Sequence, residues 1–177
     1  MITIGDLKAI CPTAPTERLS QFVDALNNAM ATYEINTVPR ETAFLAQIAH
    51  ESGSFRYVRE LWGPTEQQAR YEGRKDLGNT EPGDGKRFMG RGLIQVTGRG
   101  NYARCGEALG LNLLAHPELL EMPENACNSA GWFWKSHGCN EIADSGDFVK
   151  LTRRINGGTN GIADRVAYLD RAVAAIG

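Results

Sequence analysis

The stretch PRETAFLAQIAHESGSF, residues 39–55, decides the fold class. After Pro39, the residues Phe44, Leu45 and Ile48 recur at helical spacing, and the run ends in Ala49-His50-Glu51-Ser52-Gly53-Ser54-Phe55, where Gly53 can stop a helix. Upstream, residues 17–32 place Leu19, Phe22, Val23, Leu26 and Met30 at the same spacing, so two helices are expected to open the fold. Downstream, the pattern predicts helices over residues 101–109, 124–136, 145–155 and 162–175. The last carries Ile162, Val166, Leu169, Val173 and Ile176 on one stripe, and Gly157-Gly158 separates it from its predecessor. The one extended candidate is Leu93-Ile94-Gln95-Val96, bounded by glycines, which allows a short β-hairpin at most. The expected class is mainly α, a helical bundle.

The 177 residues, 42% of them hydrophobic, suit one well-filled core, hence a single domain over 1–177 with room for a small helical lobe. No internal repeat, linker or separate wall-binding module is visible. From Gly63 to Gly85 the composition turns to Gly, Pro, Asn and charge, the signature of a long functional or mobile loop. No run approaches the ~18 apolar residues needed to span a bilayer, and Met1 to Asp6 lack the basic-then-apolar start of a signal peptide. The expectation is a soluble protein without stable membrane association. Cys11, Cys105, Cys127 and Cys139 form no Cys-x-x-Cys pair; reduced thiols are expected, with a bridge from Cys105 to Cys127 or Cys139 left open. A net charge of −2 gives no global attraction to nucleic acid or to an anionic wall.

Glu51 stands where an apolar helix ends. At a cleft edge, apolar neighbours would raise its pKa and keep it protonated, as the donor of a proton to a glycosidic oxygen must be, although most helix-end glutamates are merely solvated. Glycoside hydrolysis normally takes a second carboxylate, and Glu60, Glu66, Glu72, Asp76 and Asp84 follow. On one straight helix Glu51 and Glu60 would lie about 13–14 Å apart, so Gly53 must reverse the chain for Glu60 to return. Trp62 is suited either to core packing or to stacking on a sugar.

The segment from Arg87 through Arg91 to Tyr102 combines glycines, which let backbone approach a ligand, with Gln95, Thr97 and Asn101, neutral partners for hydroxyl and acetamido groups. Lys86 to Arg104 holds five cations and no acid, either a site for carboxylates or a solvated basic face. His50-Glu51 lacks the second histidine of a zinc peptidase, Ser54 standing in its place, and no metal site is expected. Gly98-x-Gly100-x-x-Ala103 imitates a dinucleotide fingerprint, but Gly106 should interrupt the following helix and no alternating strands and helices surround it.

His50-Glu51-Ser52-Gly53, then Phe88-x-Gly90-Arg91-Gly92-x-Ile94-Gln95-x-Thr97-Gly98 with Asn101-Tyr102, then Ile155-Asn156-Gly157-Gly158, resemble family 19 glycoside hydrolases, which comprise plant chitinases and compact phage and prophage endolysins. The likeness runs in order from about residue 40 to Arg165, and Tyr71 to Asn79 with Pro82 to Gly85 look like the phage and bacterial branch. The resemblance implies a lysozyme-like superfold, an inverting mechanism and no cofactor. It makes Glu51 the general acid, places Gln95, Thr97 and Asn101 along the sugar cleft, and sets Asn156 and Arg165 at its floor; Trp62, Arg91 and Tyr102 are further candidates for binding substrate. The second carboxylate is nearest Glu72 by the plant spacing, while the short gap to Glu60 resembles the acid pair of phage lysozymes. Glu60 is preferred and Glu72 is the alternative, otherwise a substrate contact. Fewer cysteines and loops than the plant pattern imply an open cleft, which suits the branched strand of peptidoglycan. The expectation is a monomeric endolysin, held in a host cytoplasm before release and acting on the wall in the periplasm. A chitinase, a lytic transglycosylase using Glu51 alone and a non-catalytic glycan-binding protein remain open.

Overall fold

Pro39 lies in the first helical turn, where its missing N–H is no loss, and the helix it opens is buried on every side from Thr42 to Ala49. A computed structural model describes residues 1–177 and surrounds this helix with ten others. In chain order they are α1 (Ile4–Ile10), α2 (Thr16–Ser20), α3 (Val23–Thr32), the central α4 (Val38–Glu51), α5 (Glu66–Ala69), α6 (Asp84–Arg87), α7 (Arg99–Leu109), α8 (Pro123–Ser136), α9 (Cys139–Asp144), α10 (Phe148–Asn156) and α11 (Ile162–Ile176). The mainly helical class is as expected. Helix α11 packs along α4, α1 against α11 and α3 against α8. No helix is long and apolar enough to cross a membrane.

A core of 27 buried residues runs through α1, α3, α4, α8 and α9 and takes in Phe55 and Leu93 from the connections. At its centre Phe44 and Trp134 meet edge to face, 5.2 Å between centroids, and the indole N–H donates to Asn140 Oδ1 at 2.8 Å. Burying each such ring is worth about 2–3 kcal/mol. A second, smaller core of Phe88, Val96, Tyr102, Cys105, Leu113 and Leu120 forms around α7.

Several expectations need correction. Residues 17–32 form two helices, because the chain turns at Gln21 and Phe22 and drives the Phe22 ring into the core. Helix α1 precedes both. The span 145–155 begins a new helix only at Phe148, Gly146 having ended α9 with a left-handed residue. The apolar stripe read for the last helix is half wrong: Val166 and Val173 are exposed, and the buried face carries Arg165 and Ala172. Leu93 to Val96 is not extended. Arg91 and Val96 exchange N–H···O bonds of 3.1 and 2.8 Å, closing Gly92 to Gln95 into a turn. Helix α7 continues through Gly106, so the dinucleotide reading fails on the absence of any sheet rather than on a broken helix. All four cysteines are buried and unbridged, and burial pushes the Cys11 thiol up to about 11 and those of Cys105 and Cys139 up to about 12.

The long segment from Gly63 is built rather than loose. It contains α5, a 3-10 turn at Lys75–Leu77 and the start of α6. Buried Asn79 donates to the Tyr71 carbonyl and accepts from Arg99 N, both at 2.8 Å. Buried Asp84 accepts from Arg99 Nε at 2.8 Å and Nη2 at 2.7 Å, and from the N–H groups of Thr80 and Glu81. The Arg99 guanidinium, with those backbone donors, holds the Asp84 carboxyl below its usual range. A carboxylate with a lowered folded pKa stabilises fully above its unfolded pKa, about 3.9, and that stability is lost as pH falls through the folded value. Scanned from pH 7 to pH 2.5, Tm is therefore expected to fall more steeply below pH 4 in the wild type than in Asp84→Asn, which has already lost the contribution. Parallel curves would contradict this assignment.

Candidate active site

Helix α4 delivers Glu51 as its last residue, and the chain then reverses through Gly53, Ser54 and Phe55, whose φ angles are 58°, 61° and 66°. Ser54 and Phe55 sit in a left-handed region that non-glycine residues avoid, and surrounding contacts hold them there. Phe55 is fully buried, 5.3 Å from Phe22 between ring centroids, and its carbonyl accepts from Arg18 Nε at 2.8 Å. The Ser54 hydroxyl bonds that of Tyr168 at 2.6 Å. This reversal carries Glu60 back to a cavity of about 440 Å3 whose lining includes Glu51, Tyr57, Arg59, Glu60, Tyr71 and Gln95.

The two carboxylates are held differently. Glu60 Oε2 accepts from Gly90 N at 2.6 Å, and Oε1 from the Tyr71 hydroxyl at 3.0 Å. Burial, and the Glu60 charge beside it, raise the Tyr71 phenol to about 12, so it remains a donor through the neutral range. Gly90 leaves no room for a side chain: a Cβ would come 2.4 Å from Gln95 Oε1 and 3.0 Å from Glu60 Oε2. Glycine here is a condition of the close approach between Glu60 and Gln95.

Glu51, expected at an apolar cleft edge, is held by a buried cation. Its Oε1 accepts from Arg165 Nη2 at 2.6 Å, and that guanidinium is only 2% exposed. Arg165 also donates from Nη1 to Gln47 Oε1 at 2.5 Å and from Nε to the Asn160 carbonyl at 3.0 Å. Buried Gln47 donates in turn to Thr152 Oγ1 at 2.9 Å, and Thr152 to the Phe148 carbonyl. One relay thus runs from α10 through α4 and α11 to Glu51. Gln47→Met keeps the volume but removes the acceptor for a buried guanidinium, a loss of about 1–3 kcal/mol in stability. With Glu51 no longer aimed, kcat is expected to fall at least about tenfold while KM changes little. Unfolding titration and steady-state kinetics on the same preparation check both; unchanged kcat would remove Gln47 from the site.

Gln95 also has an unusual backbone, φ being 59°, imposed by the turn from Gly92. It borders the carboxylate cavity and also an adjoining recess of about 450 Å3 that includes Thr97 and Asn101. The Asn101 amide donates to the Thr97 carbonyl at 2.7 Å, and Thr97 Oγ1 to the Gln95 carbonyl at 3.1 Å. Trp62 lies on the far side of Glu60, in a third hollow with Lys86 and Met89. Asn156 ends α10, its Nδ2 buried without a hydrogen-bond partner.

Three residues placed along the cleft by the sequence lie elsewhere. Tyr102 is fully buried in the smaller core and donates to the Met89 carbonyl at 2.5 Å. Arg91 is buried beside it, bonded to Tyr102 Oη, the Arg87 carbonyl and Glu121. Glu72 spans the N–H groups of Gly83, at 2.6 Å, and Gly85, at 2.9 Å, and so clamps the segment before α6. The five cations between Lys86 and Arg104 are not one basic face either. Arg91 and Arg99 are paired to acids inside the fold, and Arg87 donates to the carbonyls of Leu114 and Ala115. Gln47 and Tyr57 were not singled out in the sequence, and Tyr71 and Gly90 were quoted within motifs without a role beside Glu60. For Gln47 a signal existed: four residues before Glu51, it shares that residue's helical face.

Residues 9–147 match the family model for glycoside hydrolase family 19, described as chitinase class I. A Haemophilus influenzae protein with a glycosyl hydrolase family 19 domain is 36% identical over 154 residues, covering 71% of this chain and 74% of that protein. An Arabidopsis thaliana endochitinase is 37% identical over 150 residues, 84% of this chain but 50% of its own, so the chain spans about half the length of such plant relatives. Chitinase C from Streptomyces griseus superposes with a TM-score of 0.76 at 25% identity, over 98% of this chain and 76% of that one. The class IV chitinase of Zea mays, at 24% identity and a TM-score of 0.73 over 98% and 92% of the two chains, shares the fold.

Proposed function

The chain belongs to glycoside hydrolase family 19, and from that premise we propose that it hydrolyses β-1,4 bonds between the amino sugars of bacterial peptidoglycan by an inverting, two-carboxylate mechanism. The observation that carries this reading is the shared cavity of Glu51 and Glu60. Glu51 gives its proton to the glycosidic oxygen. Arg165, already bonded to Oε1, stabilises the carboxylate that proton transfer leaves behind. Glu60, with both oxygens fixed by Gly90 and Tyr71, is aimed to take a proton from the attacking water. Gln95, Thr97 and Asn101 receive the sugar, and Arg165 and Asn156 brace the floor.

Peptidoglycan is preferred over chitin because the carboxylate cavity adjoins a second recess through Gln95, which leaves room beside the strand for a branched glycan. An endolysin role, with release from a host cytoplasm to the wall, follows from the same substrate. Chitin hydrolysis is the second reading, favoured by the chitinase names of the relatives. The deciding experiment follows the first seconds of reaction by proton NMR on soluble peptidoglycan strands and on chitin oligomers. Faster release of α-anomeric reducing ends from peptidoglycan supports the proposal. Action confined to chitin would replace the substrate, and β-anomers first would replace the mechanism.

A further inference from the structure

Resting on the peptidoglycan reading, we propose that the hollow beyond Glu60 is a subsite for an acidic sugar unit, with Trp62 under its pyranose face and Arg59 and Lys86 on its carboxylate-bearing branch. The hollow, about 400 Å3, is within the usual range for a bound small molecule, and it is lined by Arg59, Glu60, Leu61, Trp62, Lys86 and Met89. Arg59, Glu60 and Leu61 also line the carboxylate cavity, so a strand passing Glu51 and Glu60 continues into it. Trp62 is half-buried, and Tyr71, 6.4 Å away between centroids and tilted by 44°, does not stack on it. An indole edged by the apolar side chains of Leu61 and Met89 suits the C–H face of a pyranose.

The two cations are what a neutral glycan does not need. The backbone around Arg59 is fixed on both sides: Glu60 N donates to the Gly90 carbonyl and Gly92 N to the Val58 carbonyl, both at 2.9 Å. Its guanidinium is far less committed. It comes only within 3.5 Å of Glu121 Oε1, an oxygen already bonded to Arg91 Nε at 3.1 Å. Lys86, exposed on α6, enters no ion pair. The acid among the lining residues, Glu60, has its oxygens taken by Gly90 and Tyr71. An arriving carboxylate therefore finds two cations with donors to spare, whereas chitin, which carries no carboxylate, leaves them idle.

The test uses peptidoglycan strands in two charge states, native and with their carboxylates converted to methylamides by carbodiimide coupling. Strands first stripped of their peptides by an amidase are treated in the same two ways. The intact pair reads the carboxylates of the peptide stem, and the stripped pair reads that of the lactyl group. In at least one pair the wild type should favour the charged strand by about fivefold in kcat/KM, the upper end for partly exposed ion pairs. Arg59→Gln and Lys86→Gln should each cut that preference by about half, and the double variant should bring it close to one. Lys75→Gln, which removes an exposed charge outside both hollows, should leave the preference unchanged. Trp62→Ala should raise KM severalfold on every strand. Melting curves establish that the variants are folded. Equal wild-type rates within both pairs, a preference that survives the double variant, an equal loss in Lys75→Gln, or an unaltered KM in Trp62→Ala would overturn the subsite and leave peptidoglycan as the substrate. Cleavage of chitin alone would remove the substrate reading and the subsite together.

Discussion

Glu51→Gln is expected to reduce kcat by about 10²–10⁴-fold, the usual cost of losing a general acid, with KM nearly unchanged. The amide keeps an oxygen to accept from Arg165 at the position where Glu51 Oε1 now lies 2.6 Å from Nη2, so the relay through Gln47 and Thr152 has no reason to collapse. What the amide cannot do is release a proton. Removing a charge from beside a guanidinium that is 2% exposed still costs about 1–2 kcal/mol in stability. Urea unfolding and turnover measured together separate these effects. A variant that turns over at near-normal rate would show that the proton comes from elsewhere.

The second large effect distinguishes Glu60 from Glu72. Glu60→Gln sets an NH2 group against one of two donors, the Gly90 N–H or the Tyr71 hydroxyl, so it loses both its basicity and its aim. A fall in kcat of about 10²–10⁴-fold is expected. Glu72→Gln disturbs only the clamp on the N–H groups of Gly83 and Gly85. It should lower Tm measurably and leave kcat within about threefold of wild type. The reverse pattern, activity lost with Glu72 and kept without Glu60, would transfer the base to Glu72.

The helical class and the position of Glu51 were legible because long apolar helices have a clear period and Gly53 marks where one must end. The return of Glu60 was legible for the same reason: nine residues of continuous helix would have kept it away from Glu51. Other features lacked a local signature. Helices α1 and α9, of seven and six residues, are too short for a periodicity to establish itself. Leu93 to Val96 has strand composition but closes on itself, because the bonds between Arg91 and Val96 make a turn of the residues between them. Arg165 misled in the opposite direction. The family motif put it at the cleft floor, but the helical period alone drew the stripe of α11 through Val166 and Val173, whereas the ion pair with Glu51 goes with a buried face that carries the arginine. Arg91 and Tyr102 illustrate the same limit: beside true cleft residues in sequence, they bond to each other inside the smaller core.

The central claim is that Glu51 and Glu60 together hydrolyse the glycan of peptidoglycan, and mass spectrometry of soluble fragments from purified peptidoglycan tests it most directly. Wild-type protein should release disaccharide-peptides with reducing ends, Glu72→Gln should release them too, and Glu51→Gln and Glu60→Gln should release almost none. Anhydro ends from the wild type, or reducing fragments that persist when either Glu51 or Glu60 is replaced, would contradict the two-carboxylate account.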